Sequence, residues 1–139
     1  MATLITKLKA LESLLALTFF LFTQIQALEI SEVLRVYDGD TIYVNLSCNE
    51  PIFCKNIGIR LKGIDTPEIR TRNKREKKLG YAAKAYLEGI VSEAAYFELR
   101  DVSRGKYFRV IADVLVNGTS LSEDMISSGY AKNYHGGSK

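Results

Sequence analysis

Two short segments gather the acidic side chains that could hold a hard cation. One is Asp38-Gly39-Asp40-Thr41; the other is Arg60 followed by Gly63-Ile64-Asp65-Thr66-Pro67-Glu68. Each stands at the end of an alternating apolar run. Calcium takes oxygen ligands from carboxylates, main-chain carbonyls and water in a tolerant geometry. Asp40 and Asp65, with the main-chain oxygen of Thr66, therefore form a candidate metal set. Hydrolysis at phosphorus also needs an aimed water and positive charge on the equatorial oxygens. Glu68 could hold that water or accept its proton. Arg60, five residues before Asp65, shares the end of its strand, and its planar fork suits phosphate better than lysine would. Arg109, in Tyr107-Phe108-Arg109-Val110, is the candidate second arginine. Taken singly, each acidic segment reads as an ordinary turn, because Asp and Gly are common turn residues. Their joint occurrence with Arg60 and Glu68 points to phosphodiester chemistry.

The elements that must position these groups follow from periodicity. Val33 to Tyr37 and Thr41 to Leu46 alternate as strands, with Asp38-Gly39-Asp40 as the tight turn between them. Residues 57–64 read as a third strand, stopped by Pro67. From Lys74 to Val91, Leu79, Ala82, Ala83, Tyr86, Leu87 and Ile90 recur at helical steps. Tyr96 to Val102 and Tyr107 to Val116 are two further strands, and Asn117-Gly118 is a turn. Ser120 or Ser122 can cap a short helix that ends before Gly129. Five strands with a helix after the third is the pattern of a small oligonucleotide-binding-type barrel, a β-rich α+β fold.

Composition bounds the function classes. The 139 residues are 47% hydrophobic, which fits one globular domain, and the net charge of +3 does not alone argue for a polyanionic partner. A single histidine, His135, argues against a His-ligated zinc site or a His-based triad. Lys7 and Lys9 precede the apolar run Leu14 to Phe22, and Ala27 is a small residue suited to a cleavage point. Residues 1–27 thus read as a secretory signal and 28–139 as the mature domain. An uncleaved anchor is the alternative, since Ile25 is bulky for the third position before the cut. In an oxidising compartment Cys48 and Cys54 could staple the turn-like connection they flank; in the cytoplasm they would be two free thiols.

These residues carry a resemblance. Over most of residues 31–135 the chain resembles the staphylococcal nuclease-like (thermonuclease) family. The matches are Asp38-Gly39-Asp40-Thr41, Arg60 with Gly63-Ile64-Asp65-Thr66-Pro67-Glu68, and Lys106-Tyr107-Phe108-Arg109. The resemblance implies a five-stranded barrel with packed helices. It puts Asp40, Asp65 and Thr66 on the calcium-ligand positions, Glu68 on the candidate base, and Arg60 and Arg109 on the phosphate-binding arginines. Lys106 and Tyr107 fall where the family touches the nucleotide, and Tyr130 or Tyr134 could supply a second ring. Phe108 departs from the family, which usually has glycine before the arginine.

The implied activity is an exported, calcium-dependent, sugar-nonspecific nuclease, periplasmic or secreted, that cleaves DNA and RNA and leaves 3′-phosphate ends. Its expected partners are those polymers; a monomer with no stable protein partner is expected, off the membrane once the signal is removed. A non-catalytic single-stranded nucleic-acid-binding module on the same barrel is the alternative. A calcium-stabilised structural domain would leave the arginines unexplained. The basic run from Arg70 to Lys78 reads equally as a polyanion-attracting loop or a solvated start to the helix.

Overall fold

A computed structural model describes residues 28–48, 50–106 and 109–136, together with Met1. The proposed signal segment therefore lies outside the described residues, as do Tyr107 and Phe108. Strand β1 (Ile30–Asp38) turns through Gly39 and Asp40 into β2 (Thr41–Leu46), which pairs antiparallel with β3 (Ile57–Leu61). Between β2 and β3 lies a one-turn helix, α1 (Pro51–Cys54), where the sequence suggested only a turn. Cys48 and Cys54 are joined by a disulfide, with Cα atoms 5.7 Å apart.

The expected third strand is two strands. β3 stops at Leu61, and β4 (Ile64–Asp65) begins after Gly63, whose φ of +78° makes the break. Glycine meets that conformation without the Cβ penalty other residues carry. Three hydrogen bonds fix the break: Lys62 N–H to Ala112 O, the Ser122 hydroxyl to Lys62 O, and Tyr134 N–H to Gly63 O, at 2.8–2.9 Å. So three separate parts of the chain determine the direction in which Asp65 leaves.

Helix α2 (Lys74–Ser92) is the long element after β4. The side chain of Asn73 caps it by accepting from the N–H groups of Arg75 and Glu76, two of the donors a helix start leaves without partners. Strand β5 (Phe97–Arg104) then pairs antiparallel with β6 (Val110–Val116), and β6 lies parallel to β3. A parallel pair needs a long crossover, which the α2 segment supplies. The sheet order β1-β2-β3-β6-β5 is brought round by a bridge between Glu29 and Glu98, so the strands curl into the expected oligonucleotide-binding-type barrel. Short strands β7 (Thr119–Ser120) and β8 (Lys132–Asn133) flank helix α3 (Leu121–Ser127), whose N-cap is Ser120.

The core follows the two periodicities. Ile42 and Val44 of β2, Ile59 and Leu61 of β3, Val114 of β6, Leu87 of α2 and Met125 of α3 are all buried in one cluster. Each large aliphatic side chain so placed contributes on the order of 2 kcal/mol. Because side chains alternate along a strand, the neighbours Tyr43, Arg60 and Ile111 point outward.

Candidate functional site

Both acidic turns are seated on one stripe of α2. A Cβ on Gly39 would stand 2.8 Å from Ala83 Cβ and 2.9 Å from Thr66 Oγ1. A Cβ on Gly80 would stand 2.6 Å from the Pro67 carbonyl oxygen. Gly80 and Ala83, one helical step apart, thus leave room for two backbones to lie flush against the helix. A mid-helix glycine costs roughly 1 kcal/mol relative to alanine; here that cost is offset by the close approach it permits. The oddity of Gly80 is readable in the sequence, but what fills the space beside it is not.

Asp40 is the centre of the arrangement. It is 3% exposed, and each oxygen has defined partners. Oδ2 accepts from the Thr66 amide at 3.3 Å and the Thr66 hydroxyl at 3.2 Å. Oδ1 accepts from the Thr41 hydroxyl at 3.1 Å and makes an ion pair with Arg60 Nη1. The other guanidinium nitrogen, Arg60 Nη2, donates to the Ile64 carbonyl at 3.2 Å and to Asp65 Oδ1 at 3.4 Å. One positive group therefore bridges the two carboxylates, and Arg60, Asp40, Asp65 and Thr66 form a contiguous cluster.

The electrostatics of that cluster are not balanced. Burial first, and the nearby Asp38 carboxylate second, push the Asp40 pKa up to about 6, against the opposing pull of Arg60. Loss of hydration penalises a charged carboxylate, and a second negative group adds to the penalty. Asp38 Oδ1 also accepts the Asp40 N–H at 3.2 Å. Asp38 thus belongs to the site, although the sequence offered it only as part of a turn.

The remaining predicted residues are placed as follows. Glu68 is exposed on the segment that crosses Gly80, and its N–H donates to Glu76 Oε1 at 3.5 Å. Arg109 precedes β6 and packs its side-chain stem over Gly58, where a Cβ would lie 3.5 Å from Arg109 Cγ. Since Arg60 pairs with Ile111, Arg109 sits two residues back on the same outward face. Lys106 is exposed and its carbonyl accepts the Arg109 N–H at 3.2 Å, which closes the loop between β5 and β6. Tyr107 lies outside the described residues. Of the two alternative rings, Tyr130 stacks on Tyr86 with centroids 4.4 Å apart, and the Tyr86 hydroxyl reaches Asp124 and Ser128. Tyr134 is half-buried beside the Gly63 turn.

Residues 58–139, more than half of the chain, match the family described as staphylococcal nuclease homologue. The chain belongs to the staphylococcal nuclease-like family. Membership places it among nucleases and nucleic-acid-binding domains, and it accords with the barrel. Two relatives of this nuclease-like chain are an uncharacterized protein of Methanocaldococcus jannaschii and one of Bacillus anthracis. The first is 30% identical over 126 residues, covering 74% of this chain and 58% of the relative. The second is 32% identical over 101 residues, covering 71% of this chain and 44% of the relative. The nuclease-like chain thus spans about half the length of these relatives.

Proposed function

We propose that this protein is an exported, calcium-dependent nuclease that hydrolyses phosphodiester bonds of both DNA and RNA and leaves 3′-phosphate ends. One observation carries the reading: the Asp40 and Asp65 carboxylates converge on one cationic group, the Arg60 guanidinium, whose planar fork matches phosphate. The donor set fits a hard cation. It offers two carboxylates and a main-chain oxygen, and the charge on Asp40 is under-compensated by its present partners. Asp40, Asp65 and the Thr66 carbonyl would hold calcium, which supplies charge stabilisation to the phosphate oxygens.

The chain's own groups do the rest. Arg60 has five N–H donors in one plane, so it can give up one carboxylate and present that edge to phosphate. Arg109, on the same face, supplies the second fork. Together they neutralise charge that builds on the equatorial oxygens as the transition state forms. Glu68, exposed three residues after Asp65, orients the attacking water and takes its proton. The water oxygen bonds to phosphorus, the bond to the 5′ oxygen breaks, and that oxygen leaves as a hydroxyl after receiving a proton. The phosphate remains on the 3′ side. The Cys48–Cys54 disulfide supports the exported location, because oxidising compartments are where such bridges persist.

The test is to incubate the purified protein with single-stranded DNA and with RNA, in calcium and in a chelator, beside Arg109→Ala. Calcium-dependent cutting of both polymers, lost in the chelator and much reduced in the variant, is the expected result. Salt-sensitive binding without cutting would replace the enzyme by a binding module.

A further inference from the structure

One row of outward side chains crosses the sheet next to the acidic cluster. Register places Arg35 opposite Tyr43 and Tyr43 opposite Gly58, and the Arg109 stem lies over Gly58. The Thr41–Arg60 pair lies two residues further along β2 and β3, a separation of roughly 6.6 Å. The Arg35 guanidinium stands 3.8 Å from the centroid of the Tyr43 ring, and its Nη1 donates to Asn56 Oδ1. Tyr37 meets Tyr43 edge-on with centroids 5.9 Å apart, and Arg70 lies 4.9 Å over the Tyr37 ring. Gly58 has no side chain, so the Tyr43 ring and the Arg109 stem approach each other across it, each 3.5 Å from where a Cβ would be.

The packing of these arginines is informative. A guanidinium stacked on a ring keeps its N–H groups in its own plane, where they project past the ring edge. The stack also fixes a side chain that would otherwise lose much rotamer freedom on binding an anion. Among the described residues neither Arg35 nor Arg70 is paired with a carboxylate; each lies over an aromatic ring, which leaves its positive charge available. A cluster that served stability would pair such charges with acids, as Arg100 pairs with Glu98 on β5.

We infer that Arg35 and Arg70, held on Tyr43 and Tyr37, form a phosphate track for a single-stranded polynucleotide leading away from the Asp40–Asp65 centre. The inference rests on the nucleic-acid reading given above and extends it. A catalytic centre engages one scissile phosphate, whereas barrels of this type cover roughly 4–16 nucleotides. The track lies on the β2–β3 face such barrels use for oligonucleotides. It also separates part of the basic run after Glu68: Arg70 and Lys74, Lys77 and Lys78 are all exposed, but Arg70 lies over the Tyr37 ring.

The test measures fluorescence anisotropy of a fluorescein-labelled 12-nucleotide oligothymidylate in chelator, so that chemistry does not enter. Wild type is compared with the Arg35→Ala/Arg70→Ala double variant across 50–200 mM salt. Two lost phosphate contacts should lower affinity about tenfold and reduce the salt slope by about 1.4. Arg35→Lys/Arg70→Lys keeps the charge without the planar stack, and should restore the slope but not the full affinity. Arg100→Ala, which removes one charge on β5, controls for net charge. Circular dichroism melting accompanies each variant, and the lysine pair keeps the test decisive where the alanine pair fails to fold. A double variant with wild-type affinity and slope, or a loss no larger than that of Arg100→Ala, overturns the track alone. Failure of wild type to bind the oligonucleotide at low salt overturns the nucleic-acid reading, and the track with it.

Discussion

The two ends of β2 are built by opposite means. At its start, Gly39 and Asp40 form a turn buried against α2 and Thr66, held by hydrogen bonds from residues far away in the chain. At its end, a six-residue separation is closed by the Cys48–Cys54 disulfide, and Ile52 and Phe53 stand 84% and 71% exposed. The first turn is positioned by packing and carries the proposed site. The second packs little of its tip, and a covalent bond limits its freedom. Precision in this small barrel is therefore achieved where a helix can be brought against the turn. Where no such surface is available, a local link restrains the chain instead.

The largest effect should fall at the packed end. Arg60→Lys keeps a positive charge beside Asp40 but loses the fork, and cleavage should fall by about 10²–10³ with the fold retained. Kinetics on single-stranded DNA in calcium would check it; near-normal cleavage would remove Arg60 from the chemistry. Asp40→Asn should act in opposite directions on activity and stability. The raised pKa of about 6 means that the folded state binds this proton more tightly than the unfolded chain does. The resulting penalty is fully present above pH 6 and disappears as pH falls towards 4. In chelator at pH 7 the asparagine variant should gain up to about 3 kcal/mol, while cleavage is lost. Denaturant titration at pH 7 and pH 4.5 would show it, with the difference between variant and wild type shrinking at the lower pH.

Gly39→Ala should cost about 1–3 kcal/mol, because the Ala83 Cβ cannot move aside by a rotation. An unchanged melting temperature would mean that the turn is not seated as described. At the other end of β2, replacing both cysteines by serine should cost about 2 kcal/mol in the chain-entropy account, with cleavage kept. Loss of cleavage in a folded double variant would join the two ends that the comparison separates. Phe53→Ser should be the smallest change, within about 0.5 kcal/mol by thermal melting, since the ring is mostly in water already.

How much was legible in the sequence follows the same division. Asp40, Arg60, Asp65 and Thr66 could be named because turn and strand-end signals are local and the acids sit at those ends. The split of β3 from β4 was not legible: Gly63 alternates acceptably within a strand, and only its positive φ reveals the break. The one-turn helix α1 is too short for any periodicity to register. Asp38 entered as a turn residue because its influence on Asp40 depends on burial. The row from Arg35 to Arg109 depends on β3 lying parallel to β6, a pairing between segments about fifty residues apart. Sequence alternation gives each residue its face but not its neighbour on the next strand.

The wide sequence separations within the acidic cluster have a consequence for how the proposed site arises during folding. Asp40 meets Arg60 across 20 residues and Thr66 across 26, and the turn that carries it is seated on a helix formed later in the chain. Contacts of that range form only after the intervening loops have closed, late in the search for the native topology. A partly folded chain therefore contains every residue of the proposed site without the site itself. The proposed cleavage would then report the completed fold, gained and lost in the same cooperative transition as the barrel itself.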